Sequence, residues 1–121
     1  MDTFFAMLAD ATRRRILALL VERPSLCVCE IVQALNLAQP RISSHLAALR
    51  KAGLVRGRRK GLWVHYALAS DMPAWQRTII EALHDGMRET EQFRADLARL
   101  NAQNGPEAET DSAAGTCSDA A

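Results

Sequence analysis

Apolar residues recur at helical spacing through the first third of the chain. Phe4, Phe5 and Leu8 form a short amphipathic segment, and the stretch at residues 9–12 (ADAT) can interrupt it and start a second helix. The second helix is predicted over residues 12–21. Its broad apolar face is made of Ile16, Leu17, Leu19 and Leu20.

Two shorter helices follow, joined by a tight turn. Ser25 suits the N-cap of a helix that ends at Leu35, with Ile31, Ala34 and Leu35 facing inward. Asn36 begins the joint, and Pro40 fits the first turn of the next helix, where its missing N–H does no harm. Gly53 is a typical helix stop. The inward stripe of the fourth helix is Ile42, Leu46 and Leu49, at i, i+4 and i+7.

Beyond Gly53 the pattern changes from a helical to a strand period. Residues 54–56 and 62–68 are predicted as two antiparallel strands joined by the tip GRRKG. A final long helix is predicted to open at residues 72–73 (MP), with one apolar side. That side comprises Trp75, Ile79, Leu83, Met87, Phe93, Leu97 and Leu100.

The element order is therefore α-α-α-α-β-β-α, mainly α with a β-hairpin. Two short helices joined by a tight turn and followed by a basic hairpin are typical of a winged helix-turn-helix domain. We expect this domain over residues 1–100. Residues 101–121 are polar and lack apolar residues to bury, which predicts a disordered tail carrying Cys117.

Composition indicates a soluble cytoplasmic protein. Apolar residues make up 49% of the chain, yet no apolar run is long enough to cross a bilayer. The N-terminus lacks the pattern of a secretory signal, and three cysteines are too few for a disulfide scaffold. Charge is uneven: residues 1–70 hold eleven Lys/Arg and four Asp/Glu, whereas residues 71–121 hold four and ten. The front part is thus suited to a polyanion.

The basic and polar residues lie where such a domain meets DNA. The N-terminal part of the fourth helix can enter a major groove, with Gln and Arg pairing to bases and Ser to bases or phosphate. The hairpin cations can reach the backbone or minor groove. A solvated helix face and a soluble hairpin edge are the alternatives, and His45 could simply fill the helix joint. The predicted DNA-binding residues are Gln39, Arg41, Ser43, Ser44, His45, Arg58, Arg59 and Lys60.

The segments LADATRRRILALL and NLAQPRISSHLAALRKAGLVRGRRKGLWVHYAL resemble the ArsR/SmtB family of metal-responsive repressors, over roughly residues 3–90. The resemblance implies a homodimeric repressor of operator DNA, with the first and last helices at the dimer interface. The apolar residues Phe4, Phe5 and Leu8, and those between Trp75 and Leu100, suit such an interface.

Leu26-Cys27-Val28-Cys29-Glu30 is similar to the signature of the arsenic-sensing branch of that family. Thiolates are the ligands that soft ions prefer, so trivalent arsenic or antimony is the expected inducer. A helix N-terminus is expected to lower the thiol pKa. Within a regular helix, residues i and i+2 point about 200° apart, so two thiols could share an ion only by distorting the first turn.

A third thiol is missing from this helix. The resemblance implies a cysteine three residues after Cys29, where this chain has Val32. Cys117 is the remaining thiol, and whether it is incidental or a third ligand stays open. Glu81, His84 and Asp85 are a thin cluster for zinc and are expected on a solvated face, and His65 has no evident partner. No catalytic cofactor is expected.

Two other functions compete with the metalloid-responsive repressor. A redox-sensing repressor would form a disulfide, with Cys117 as the likelier partner because a Cys-x-Cys ring is strained. A thiol-dependent reductase is the third possibility. The sequence has no Cys-x-x-Cys motif and no Cys-His pair for nucleophilic catalysis, so we do not expect an enzyme.

Overall fold

A computed structural model describes residues 1–103 of the 121-residue chain. The helices and strands of this part follow one another in the order α1 (Asp2–Leu8), α2 (Ala11–Glu22), β1 (Leu26–Cys27), α3 (Val28–Leu35), α4 (Gln39–Lys51), β2 (Val55–Lys60), β3 (Trp63–Leu68), α5 (Ala74–Met87) and α6 (Glu91–Ala102). The mainly helical winged fold is confirmed. Cys117 and the rest of the predicted tail from residue 104 onward lie outside the described residues.

The core forms around α2, and the predicted inward stripes are buried in it. Ile16, Leu17 and Leu19 have no exposed surface, and the α4 stripe of Ile42, Leu46 and Leu49 is buried against them. Burying a large aliphatic side chain contributes about 1.5–3 kcal/mol each, so these stripes fix how α4 sits on the domain.

Local signals start and stop the helices that position α4. The carboxylate of Asp10 accepts a hydrogen bond of 3.0 Å from the Arg13 backbone N–H and caps α2. Asn36 ends α3 in the left-handed conformation, with φ of 56°. Asn tolerates this region better than most residues, so the turn between α3 and α4 can be tight. Pro40 lies in the first turn of α4, as expected.

The wing belongs to a three-stranded antiparallel sheet in the order β1-β3-β2. β2 pairs with β3 from Val55 opposite Leu68 to Lys60 opposite Trp63. The third strand, β1, was not predicted, because two residues carry no recognisable period and their partners lie some forty positions away. β1 pairs Leu26 with Tyr66 and Cys27 with His65.

The prediction of one long final helix is wrong. The Thr90 hydroxyl donates to the Met87 carbonyl and accepts from the Phe93 N–H, at 2.7 and 3.2 Å, so the chain stops α5 and caps α6. α6 turns back onto α3, and Phe93 and Leu100 are buried within this chain. These two residues were expected to suit a dimer interface, and the structure covers them within one chain instead.

Apolar surface remains where α1 meets α5. Phe4 is buried and makes edge-to-face contacts with Phe5 and Trp75, with ring centroids 5.2 Å apart in both pairs. Phe5 and Trp75 themselves stay 47% and 40% exposed. Large exposed aromatic side chains in one patch are typical of an association surface.

Candidate DNA interface and cysteine site

The predicted polar residues of α4 do not share one environment. Arg41 and Ser44 are exposed near the start of the helix, whereas Gln39, Ser43 and His45 are half-buried. The Arg41 guanidinium lies 3.4 Å from the Thr12 hydroxyl of α2. The exposed N-terminal part of α4 is thus polar and includes a cation, which suits a nucleic-acid surface.

His45 faces the interior of the helix joint. Its Nδ1 lies 3.4 Å from Nη1 of Arg13, and its Nε2 lies 3.9 Å from the Asp10 carboxylate. Desolvation opposes ionisation of Asp10, but the hydrogen bond from the Arg13 N–H and the charges of His45 and Arg13 together hold its pKa below the ordinary value. Of the two interpretations of His45, the structure favours a joint-filling side chain over a DNA contact.

The wing cations lie on a strand and not in its tip. β2 runs through Lys60, and the turn is made by Gly61, with φ of 64°, and Leu62. The predicted tip GRRKG is wrong in this respect. Because strand residues alternate between faces, Arg58 and Lys60 lie on one face and Arg59 on the other. All three are exposed.

Arg56 joins Arg58 and Lys60 on their face of β2 and was missed by the sequence argument. It is paired with Asp71 at 2.9 Å, both side chains being largely exposed. These cations and His65 line a shallow groove that is closed on its far side by Pro24, Ser25 and Ser70. The positions i, i+2 and i+4 of Arg56, Arg58 and Lys60 were a readable signal for a one-sided basic face.

Cys27 is the N-cap of α3, which corrects the placement of Ser25 in that role. It has an extended backbone, with φ of −82° and ψ of 165°. Its backbone N–H donates to the Glu30 carboxylate at 2.8 Å, and its sulfur faces the Glu30 N–H in a reciprocal capping box. Cysteine thus occupies the position that Ser or Thr usually fills.

The two sulfur atoms of Cys27 and Cys29 lie 3.0 Å apart. The expectation that they diverge by about 200° assumed that both residues are helical, and Cys27 is not. A capping residue is free of the helical projection, so its side chain can lean toward the first turn. Distortion of the helix is therefore not needed to bring the two sulfurs together.

Burial raises the pKa of the Cys27 thiol from its ordinary 9.0 to about 11. The negative charge of Glu30 contributes to this rise, and hydrogen bonds from the N–H groups of Glu30 and Cys29 oppose it. The expectation of a lowered thiol pKa at this helix start is contradicted, because the desolvation of a buried thiol outweighs the helix N–H groups. Cys27 is a neutral thiol at pH 7.

Trp63 of β3 packs against both cysteines. Within residues 1–103, no three His, Cys, Asp or Glu side chains are grouped so that they could hold a metal ion. The local site therefore consists of two sulfurs and an aromatic wall.

His84 was expected on a solvated face, and the structure contradicts this expectation. His84 is buried, contacts Glu22 of α2 at 2.6 Å and lies edge-to-face against Phe93, so it joins α2, α5 and α6. Only Glu81 and Asp85 of that cluster are exposed. His65 is opposite Cys27 on one side and Arg58 on the other.

A helix with an exposed polar N-terminal part, a preceding helix held by a tight turn, and a following basic hairpin define a winged helix-turn-helix DNA-binding protein. Residues 10–56 match the family described as bacterial regulatory protein, arsR family. The chain is 46% identical over 98 residues to the arsenical resistance operon repressor of Escherichia coli K12, covering 80% of this chain and 84% of that protein. The chain belongs to the ArsR family of transcriptional regulators.

Other comparisons agree. The arsenic resistance transcriptional regulator ArsR1 of Pseudomonas putida is 46% identical over 85 residues, which cover 70% of this chain and 66% of that protein. HlyU from Vibrio cholerae N16961 superposes with a TM-score of 0.64 at 33% identity, over 73% of this chain and 91% of that one. The AntR antimony-specific transcriptional repressor gives 0.60 at 27% identity, over 74% and 78%. Repression of the ArsR type follows from these relatives.

None of the helices within residues 1–103 is both long and apolar enough to span a bilayer.

Proposed function

We propose that this protein is a cytoplasmic homodimeric repressor that leaves its operator DNA when trivalent arsenic or antimony binds Cys27 and Cys29. The observation that carries the proposal is the 3.0 Å distance between the two sulfurs at the start of the helix that packs on α4. Relatives named for arsenic resistance and antimony specificity support the choice of inducer.

The sulfur pair fits two ligands of one soft ion. With sulfur bonds of roughly 2.3 Å, as for thiolate-bound zinc, two ligands of one ion lie roughly 3.3–3.8 Å apart. The pair at 3.0 Å needs only a small separation to reach that range.

The raised pKa of Cys27 is compatible with this ligand class. Trivalent arsenic in neutral water is a trihydroxide, and each arsenic–sulfur bond that forms replaces one arsenic–oxygen bond. The thiol proton combines with the displaced hydroxide to form water. A neutral thiol therefore supplies the proton that the exchange needs. A bare divalent cation would have to expel that proton into solution, which weakens its binding at neutral pH.

Cys27 has two roles that compete. Its sulfur caps the first turn of α3, and the same sulfur would hold the ligand. Ligand binding therefore changes how α3 starts, and α3 packs against α4, the helix proposed to enter the DNA. Release follows if the ligand binds more tightly to the DNA-incompetent arrangement than to the competent one.

The end of α6 supports Cys117 of the same chain as a third ligand. The Gln103 side chain donates to the Glu30 carbonyl at 3.1 Å, so the chain arrives beside the first turn of α3. Cys117 follows fourteen positions later, and an extended chain of that length reaches about 46 Å. Delivery from the partner subunit remains the competing source in the test below.

We assign the DNA contacts to two surfaces. α4 supplies Gln39, Arg41, Ser43 and Ser44 to the major groove, and the wing supplies Arg58, Arg59 and Lys60 to phosphates. Phe5 and Trp75 are the proposed centre of the dimer interface, because they are the exposed aromatic residues of the α1–α5 surface.

The test is titration of arsenite, antimonite, cadmium and zinc into the full-length protein bound to a DNA site selected from random sequence. Excess reductant is present throughout. We expect arsenite and antimonite to release the DNA, and Cys27→Ser and Cys29→Ser to abolish that release while keeping DNA affinity. Release of Cys27→Ser by arsenite would show that the sensing site lies elsewhere.

Two further samples decide between the alternatives. A mixed dimer with Cys117→Ser in one subunit and Cys27→Ser in the other separates a third ligand from the same chain from one supplied by the partner. Release by oxidant alone, with no response to arsenite in reductant, would establish the redox sensor instead.

A further inference from the structure

Cys27 is a sheet residue as well as a helix cap. In β1, Leu26 lies opposite Tyr66 and Cys27 lies opposite His65. Directly opposed side chains of an antiparallel pair share a face. Leu26 and Tyr66 are buried in the core, so Cys27 and His65 lie on the outer face of the sheet. Cys27 is nevertheless only 5% exposed there.

The outer face continues across the wing as its basic face. Arg58 lies opposite His65, Lys60 lies opposite Trp63, and Arg56 lies opposite Ala67. The alternation of strand residues places all three cations on the face that carries Cys27. The cysteine pair and two of the cations proposed to meet phosphates, Arg58 and Lys60, are thus neighbours on one surface, separated by a single strand.

Trp63 is the side chain that connects these two features. It packs against both cysteines at one end of β3 and is opposite Lys60 across the hairpin. It is also the first residue of β3, directly after the turn at residues 61–62. A displacement of the sulfurs would therefore be transmitted to the side chain of Trp63, and the backbone of Trp63 belongs to the wing.

We propose that Trp63 is a positioning residue that couples the cysteine pair to the basic face of the wing. Ligand binding at the sulfurs then changes the wing directly, in addition to its route through α3 and α4. Close-packed side chains transmit a displacement to their neighbours because there is no free volume to absorb it. This inference rests on the proposed function and adds a second path by which that site controls DNA affinity.

The first test observes Trp63 without DNA. The chain has two tryptophans, and the emission of the parent minus that of Trp63→Phe isolates the indole of Trp63. We expect its emission to change on arsenite addition and to saturate at the arsenite concentration that releases DNA. The matched variant Trp63→Phe reports any change arising at Trp75. Emission of Trp63 that stays constant while the parent protein releases DNA would overturn the coupling.

The second test measures coupling as the ratio of DNA dissociation constants with and without arsenite. Allosteric couplings typically span about 5- to 150-fold, and we expect Trp63→Ala to reduce the wild-type ratio by about fivefold or more. Trp63→Phe should restore most of it. Leu62→Ala, at a neighbouring position that is 75% exposed, is the matched control and should keep the wild-type ratio.

The outcomes separate the two proposals. A wild-type ratio of one between the two DNA dissociation constants would refute both the proposed function and the coupling. If the wild type responds to arsenite and Trp63→Ala has the same ratio, only the coupling through Trp63 is refuted. If Trp63→Ala fails to fold, the emission of Trp63, obtained by difference between the parent and Trp63→Phe, still decides.

Discussion

The two ends of α3 are held by different kinds of group. At its start, the N–H groups meet the Cys27 sulfur and the Glu30 carboxylate, both from the helix's own first turn and cap. At its end, the carbonyls of Ala34 and Leu35 accept from other helices, from Nε of Arg99 at 2.7 Å and Nη2 of Arg15 at 2.9 Å.

A buried carboxylate organises the second end. Asp96 of α6 is fully buried and accepts two hydrogen bonds from Arg15, at 2.8 and 2.9 Å. It also accepts from Arg99 at 2.9 Å and from Gln92 at 3.1 Å. Both arginines are thereby fixed while they cap α3. Removing one member of such a network leaves another charge buried without its partner.

The difference shows how a short helix can change at its start when a ligand binds while its end stays attached to the domain. Its end is anchored to α2 and α6 by groups that the proposed ligand does not touch. Its start depends on a sulfur that the proposed ligand would occupy. Movement is therefore expected at the cap and the first turn, with the end as the fixed point.

The largest effect is expected from Asp96→Ala. Loss of the carboxylate leaves Arg15, whose side chain is 14% exposed, without its charge partner, which should lower the free energy of unfolding by about 3–5 kcal/mol. Chemical denaturation measures it. Asp71→Ala, which removes the exposed pair with Arg56, is the control and should cost below about 1 kcal/mol. Equal losses in the two variants would mean that the end of α3 is not anchored as described.

The next effect is the pH dependence contributed by Cys27. Its pKa is raised from 9.0 to about 11 on folding, so the folded state favours the neutral thiol. This contribution is fully present below pH 9 and is lost as pH rises through about 11, for a total of about 2–3 kcal/mol. It is measured as the difference in unfolding free energy between the parent and Cys27→Ser, in reductant, from pH 8 to 11. A difference that stays constant with pH would refute it.

Glu30→Ala should cost about 1–2 kcal/mol, because it removes the acceptor of the Cys27 N–H. Gln33→Ala, at an exposed position of the same helix, should be close to neutral. Glu30→Gln keeps an acceptor and removes the charge, so it should retain most of the stability and lower the pKa of Cys27. Thermal unfolding and the pH dependence of Cys27 alkylation test the two parts, and a Glu30→Gln protein with the parent pH dependence would contradict the second.

The smallest effect is expected where α3 turns toward α4. Asn36→Ala should cost about 1 kcal/mol, because Ala fits the left-handed region poorly. Asn36→Gly should change stability by less than about 0.5 kcal/mol, since Gly adopts this conformation freely. Comparison of the two denaturation curves is the measurement. A larger loss for Gly than for Ala would show that the Asn36 side chain, and not its backbone, holds the turn.

Local patterns predicted the elements of the DNA-binding unit well. The spacing of Ile42, Leu46 and Leu49 identified the buried side of α4, and the period change after Gly53 identified the hairpin. Each of these signals is contained within about ten residues. Thr90, followed by Glu91, was a readable N-cap signal, and the continuous apolar spacing on either side of it concealed the break between α5 and α6.

The missed features depend on residues far apart in the chain. Arg15 and Asp96 read separately as surface charges, and only the return of α6 onto α3 makes them a buried pair. Likewise, the approach of the two sulfurs depends on Cys27 being held outside the helix by its pairing with β3. No local period encodes such a contact, so the mistaken angle between the cysteines followed from treating both as helical.

The length of α3 has a consequence of its own. Isolated helices shorter than about 12–15 residues are marginal in water, and α3 has eight residues. A helix of this length has few internal hydrogen bonds, so its stability depends mainly on its contacts with the rest of the domain. A change at the capped start of α3 is then not offset by other hydrogen bonds within the helix. The response of this protein to its inducer would therefore depend on α3 being short. Inserting one further turn into α3 should abolish the release of DNA by the inducer.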